Sequence, residues 1–138
     1  SRGLGHACVA VAGPVTCVAT VGLGNAERVG HRRGQQEGQR QGYGTINIAL
    51  LIDAGLTDAA LIEALSIAAQ ARTLAVLEAG VILPSGPATG TGTDCIAVAC
   101  DPGGLAHAGL HTALGEAIGR AVCDAVGQGA SDWKAAQG

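Results

Sequence analysis

The sequence contains no phenylalanine and no methionine, and only one tryptophan, one tyrosine and one lysine, Lys134. Without large aromatics, a core must be assembled from Ala, Val, Leu and Ile packed closely through small residues. A basic surplus is missing too: the formal net charge of −3 leaves no electrostatic footprint for nucleic acid. No apolar run approaches the length of a membrane span, and the first residues lack a signal-peptide pattern, so no membrane partner is expected. The five cysteines show no CxxC spacing. Cys17, Cys95 and Cys100 lie in apolar, strand-like stretches where a thiol serves as a small hydrophobe. That usage points to a reducing, cytoplasmic setting rather than a disulfide framework.

What the chain has in excess is glycine, 23 of its 138 residues, and the length suits a single domain spanning 1–138. Val15 to Val21 is a β-rich run between Gly13-Pro14 and Gly22, with a weaker strand pattern from Cys8 to Ala12. Residues 31–43 are polar, aperiodic and rich in Gly, Gln and Arg, the composition of a flexible loop. From Thr45 to Asp53, Ile46, Ile48, Leu50 and Ile52 alternate onto one face of a strand, with Thr45, Asn47 and Asp53 on the other.

Thr57 or Asp58 can cap a helix running to about Glu78, stopped by Gly80. At 100° per residue its apolar face carries Leu61, Leu65, Ala68, Ala75 and Ala79, with Arg72 in the middle. Cys95 to Cys100 is apolar on both faces, as in a central strand. A last helix from about His111 to Val126 turns Leu114, Ile118, Val122 and Ala125 inward, with Gly115 and Gly119 allowing close approach. Residues 127–138 read as a frayed tail. The fold class is α/β: a small sheet in the order strand, strand, helix, strand, helix, with helices packed on it.

Chemistry is concentrated at Ala88-Thr89-Gly90-Thr91-Gly92-Thr93-Asp94, between the long helix and the apolar strand. Gly90 and Gly92 permit positive φ and let backbone N–H groups converge on an anion or a developing oxyanion. Thr89, Thr91 and Thr93 supply hydroxyls as donors, acceptors or a nucleophile. The run is not a P-loop, since no Gly-Lys-Ser/Thr follows it. Arg72 on an apolar face needs a carboxylate such as Asp94 or Asp53, or a ligand, unless its stem reaches solvent. His111 can serve as a general base or a ligand donor, or simply as a hydrogen-bonded buried histidine. His107 lies four residues earlier, but Gly109 intervenes and no further ligands have matching spacing, so no metal is expected. Glu116 and Arg120 read as a solvated surface pair. Gly22-Leu23-Gly24-Asn25-Ala26-Glu27 lacks the third glycine of a dinucleotide turn, leaving Asn25, Thr45 and Asn47 as polar contacts in a cleft.

Four segments occur together in order: Gly22 through Gly30, Gly44-Thr45-Ile46-Asn47-Ile48, Ala88 through Asp94, and Gly109 through Gly119. With the long helix between the second and third, this order resembles the adenosylcobinamide amidohydrolases, the CbiZ family, over about Pro14 to Val126 outside the polar loop. The resemblance implies hydrolysis of the amide joining the aminopropanol arm to the corrin ring of adenosylcobinamide. The product would be adenosylcobyric acid, used in corrinoid (coenzyme B12) salvage. The partner is then a small-molecule corrinoid, which is the substrate, and no separate cofactor is implied. Homo-oligomerisation stays open.

Amide hydrolysis needs a nucleophile, an oxyanion stabiliser and an acid for the leaving amine. The catalytic candidates are Thr89, Thr91, Thr93, Asp94 and His111, with direct attack by water equally open. The binding candidates are Asn25, Thr45, Asn47, Arg72, Gly90 and Gly92. The chain departs from the family pattern at Gln70 and Arg72, where Glu and Lys are usual, and carries little of the sequence that usually precedes the glycine-rich turn. It is therefore expected to be a truncated member, and the competing readings are a catalytically inactive corrinoid- or nucleotide-binding module and a purely structural fragment.

Overall fold

A computed structural model describes residues 4–32 and 44–138, so residues 33–43 of the expected polar loop lie outside the described residues. After a short 3-10 turn at Leu4–His6, strand β1 (Cys8–Ala12) and strand β2 (Val15–Val21) form an antiparallel hairpin through Gly13, whose φ is +51°. A two-residue strand β3 (Ala26–Glu27) precedes β4 (Ile46–Leu56), which leads into helix α1 (Asp58–Ala79). Three short strands follow, β5 (Ile82–Leu83), β6 (Gly86–Pro87) and β7 (Gly90–Thr91), then β8 (Cys95–Pro102) and helix α2 (Ala113–Gln137). The main sheet has the order β1-β2-β4-β8, with β4 and β8 parallel across the α1 crossover and the other pairs antiparallel. The fold is α/β, as the periodicity implies.

Period-2 alternation places Ile46, Ile48, Leu50 and Ile52 of β4 in the core beside Val15, Cys17, Ala19 and Val21 of β2. Both helices cover this face, α2 over β1 and β2 and α1 over β8. Burial pushes the Cys17 thiol up to about 12, which marks it as a core hydrophobe. The opposite face of the sheet has no helix among the described residues. Two rows run across it through the strand register: Val9, Val18, Ala49 and Ala97, then Val11, Thr16, Leu51 and Ala99.

β8 departs from the expected central strand. Among the described residues it is an edge strand, with Cys95, Ala97 and Ala99 exposed and Ile96, Val98 and Cys100 turned inward. Alanine and cysteine are apolar whether covered or not, so an unbroken apolar run does not report two-sided burial.

α1 has the expected ends: Thr57 accepts from the Ala60 N–H at 3.2 Å, and Gly80 closes it at φ +77°. Its buried stripe is rotated from the expected one. Ala60, Ala64, Ile67, Ala68, Ala71, Ala75 and Val76 are buried, whereas Leu65 is 42% exposed. Alanines let α1 lie close to α2, so the smaller residues rather than the leucines define the contact. By length and composition α1 is also apolar enough to cross a membrane, a test that the core helix of a folded domain passes too. In the fold it packs on α2 and β8.

α2 starts at the Thr112 cap and runs well past Val126, so 127–138 is helix rather than a frayed tail. Gly129 and Ala130 are buried, Trp133 packs on the core, and Lys134 donates to the Ala79 carbonyl at 2.6 Å. A Cβ on Gly129 would come 2.6 Å from Val21 Cγ2. Gly129, inside the stretch expected to fray, lets α2 lie close against β2, and tertiary packing overrides propensity.

Candidate active site

The glycine-rich turn is strapped to the segment after β2. β3 and β7 pair antiparallel, Ala26 opposite Thr91 and Glu27 opposite Gly90. Thr89 N donates to the Glu27 carbonyl at 2.9 Å and Gly92 N to the Asn25 carbonyl at 3.1 Å. Thr89 is buried, and its hydroxyl accepts from Val29 N at 2.8 Å. Two of the four sequence segments thus form one piece of structure.

Asp94 organises the turn. Its carboxylate accepts from Thr91 N at 3.1 Å, from the Thr91 hydroxyl, and from Arg72 Nη1 at 2.5 Å. Arg72 therefore lies at the margin of the buried stripe of α1, where it meets its carboxylate partner, and Arg72 Nε also points at Thr73 Oγ1 at 3.4 Å. The glycines serve a different purpose from the expected one. Neither Gly90 nor Gly92 has positive φ. Instead, a Cβ on Gly90 would stand 2.6 Å from Asp94 Oδ2, and one on Gly92 would stand 3.1 Å from Asn25 Nδ2. The turn is glycine-rich because polar side chains occupy the space next to its backbone.

The N–H groups of Thr89, Thr91, Gly92 and Thr93 all donate within the protein. They do not converge on an open anion hole. What opens onto a pocket of about 390 Å³ is a set of side chains: Glu27 and Arg28 from β3 and the residue after it, Arg72 and Thr73 from α1, and Thr89, Thr91 and Asp94 from the turn. Arg28 is fixed by a 2.7 Å hydrogen bond from Nη1 to the Pro87 carbonyl. The pocket thus offers the guanidinium groups of Arg28 and Arg72 and the carboxylates of Glu27 and Asp94.

Other candidates brace this turn or lie elsewhere. Thr45 donates to the Thr93 carbonyl at 2.7 Å, and the exposed Thr93 hydroxyl reaches Gly44 O at 3.5 Å, tying the turn to the start of β4. Asn25 lies against Gly92. Asn47 is on the open sheet face, where its amide donates to Thr20 Oγ1 at 3.3 Å. His111 is not brought to the turn. The turn leads into β8, whereas His111 follows that strand and lines none of the pocket at the turn. The exposed His111 lines a separate pocket of about 510 Å³ with His107, Glu63, Ser66 and Gln70, and Glu63 there accepts from Ala108 N at 2.7 Å. The two functional-looking segments occupy opposite ends of one strand.

Glu27, Arg28, Val29 and Thr73 line the pocket without standing out in the sequence as site residues, and Glu27 and Arg28 are the charged ones. Their signal lay in position: an adjacent acid and base inside the Gly22–Gly30 segment, in a chain with only 14% charged residues.

Comparison with known proteins gives this site a context. Residues 3–138 match the family model described as adenosylcobinamide amidohydrolase. The chain is 35% identical over 126 residues to a protein of Halobacterium salinarum named adenosylcobinamide amidohydrolase, covering 88% of this chain and 52% of that one. It is 40% identical over 87 residues to an uncharacterised protein of Methanocaldococcus jannaschii, covering 60% of this chain and 34% of that one. The chain thus spans about half the length of the first relative and about a third of the second. No solved structure matches.

Proposed function

This chain belongs to the adenosylcobinamide amidohydrolase family, and on that premise we propose that it hydrolyses the amide joining the aminopropanol arm to the corrin ring of adenosylcobinamide. The products are adenosylcobyric acid and the free amine, and the reaction serves corrinoid salvage in the cytoplasm. The corrinoid is the substrate, and the reaction uses no further cofactor. The observation that carries this reading is the pocket at the turn, where Glu27, Arg28, Arg72 and Asp94 meet Thr73, Thr89 and Thr91.

Asp94 is a positioning residue that holds Arg72 and the Thr91 end of the turn in place. Glu27, which lines the pocket beside Arg28, takes a proton from water as that water attacks the amide carbonyl. The oxyanion that forms is stabilised by the guanidinium groups of Arg28 and Arg72, in the place of the expected backbone donors. Glu27 then returns its proton to the amine nitrogen as the C–N bond breaks. Thr89 and Thr91 orient the amide, and the exposed Thr93 contacts the substrate's periphery. Incubation with adenosylcobinamide, followed by chromatography of the corrinoids, tests the reading: adenosylcobyric acid supports it, and unchanged substrate contradicts it.

The alternative reading is a corrinoid- or nucleotide-binding module without turnover. Corrinoid binding measured by calorimetry alongside product formation separates the two readings.

A further inference from the structure

The two rows across the open sheet face, apolar except for Thr16, have no partner among the described residues, and Val9, Val11 and Leu51 are 64%, 68% and 52% exposed. The β4–β8 pair is parallel, and parallel strands are normally covered on both faces. Here α1 and α2 cover only one. An uncovered apolar face of this kind marks an interaction surface.

The surface chemistry narrows the occupant. The outward residues of the four strands include no cation, and their only charges are Asp53 and Asp101 at one end. An anionic membrane or a nucleic acid would be repelled rather than held. Four strands about 4.8 Å apart, each contributing one residue to each of the two rows, present a few hundred Å², below the roughly 800 Å² per partner that stable dimers bury. A second copy of the chain therefore gains too little to stay bound. A layer joined covalently does not pay the cost of bringing two molecules together. The Halobacterium salinarum relative has about as much chain again as the portion matched here.

We propose that the open sheet face is the docking surface for the unmatched half of the longer family chain, which lies over Val11, Leu51 and Ala97 as a third layer. The last row of the face, Thr20, Asn47 and Cys95, adjoins Asp94 at the turn, so that layer also forms a second wall beside the pocket. This placement does not rest on the proposed reaction.

Cys95 is exposed on this face and reports on its coverage. Its maleimide labelling, located by mass spectrometry, is compared in the 138-residue chain and in the same chain joined to the unmatched residues of the Halobacterium salinarum protein, in that protein's order. The joined chain is expected to label about tenfold or more slowly at Cys95, as protection by burial requires. Leu51→Asp in the joined chain, or Ala97→Asp should that variant fold poorly by circular dichroism, is expected to restore the rate. Equal labelling of the two chains overturns the proposal. So does a 138-residue chain that sediments as a dimer with Cys95 protected, which would make a second copy the occupant.

Discussion

Arg72 and Asp94 lie 22 residues apart in sequence and 2.5 Å apart in space, and this one contact ties α1 to the turn before β8. Both side chains are largely enclosed, at 18% and 11% exposure. Removing one partner leaves the other charge uncompensated, which costs about 3–5 kcal/mol in a fully buried pair. With the exposure seen here, Arg72→Ala is expected to lower stability by about 2–3 kcal/mol in urea unfolding. Arg72→Lys should restore only part of that, since an ammonium lacks the guanidinium's second donor direction. An effect within experimental error would show that the pair does not hold the turn.

The glycines separate by what surrounds them. Gly90→Ala drives a methyl against Asp94 Oδ2 and is expected to destabilise by about 1–3 kcal/mol while disrupting the pocket. Gly129→Ala meets Val21 and should destabilise as well. Gly127, also in α2, has nothing within 4 Å of a built Cβ, so Gly127→Ala should stabilise by about 0.5–1 kcal/mol. Thermal unfolding of the three variants checks the order; equal effects would contradict the packing described for α2.

Cys17 makes stability depend on pH. Burial raises its thiol from 9.0 to about 12, so the folded chain holds the proton more tightly than the unfolded one. Its contribution is complete below about pH 9 and is lost as pH rises from there through about 12. The urea midpoint is expected to fall over that window, and Cys17→Ala, though less stable at neutral pH, should show a flatter fall. Cys123 is also raised, by burial first and then by Glu78 and Asp124. Alkylation at pH 8 should therefore modify the exposed Cys95 before Cys123 and leave Cys17 until unfolding.

Much of this architecture can be read from local pattern. The alternation in β4, the Thr57 cap and the Gly80 stop are decided by a few adjacent residues, and each element lies where its pattern puts it. The alanine face of α1 and the long run of α2 are not decided locally, because small residues there matter through what lies against them. The turn itself stands out by its composition, and its link to Arg72 follows from the cost of an unpaired buried charge. Its separation from His111 depends on where the chain runs after β8, since the segment that follows the strand packs against Glu63 of α1 and not back on the turn. Glu27 and Arg28 enter the pocket through the β3–β7 pairing, two residues long on each strand and too short to leave a period in the sequence.

The central claim is that hydrolysis takes place at the turn and not at the histidine end of β8. Formation of adenosylcobyric acid from adenosylcobinamide, followed in parallel for the unsubstituted chain, Glu27→Gln and His111→Ala, tests it most directly. The account predicts that Glu27→Gln loses about 100-fold or more in rate, the scale of a missing general base, while His111→Ala stays within about twofold of the parent rate. Loss of activity in His111→Ala with activity retained in Glu27→Gln would contradict it.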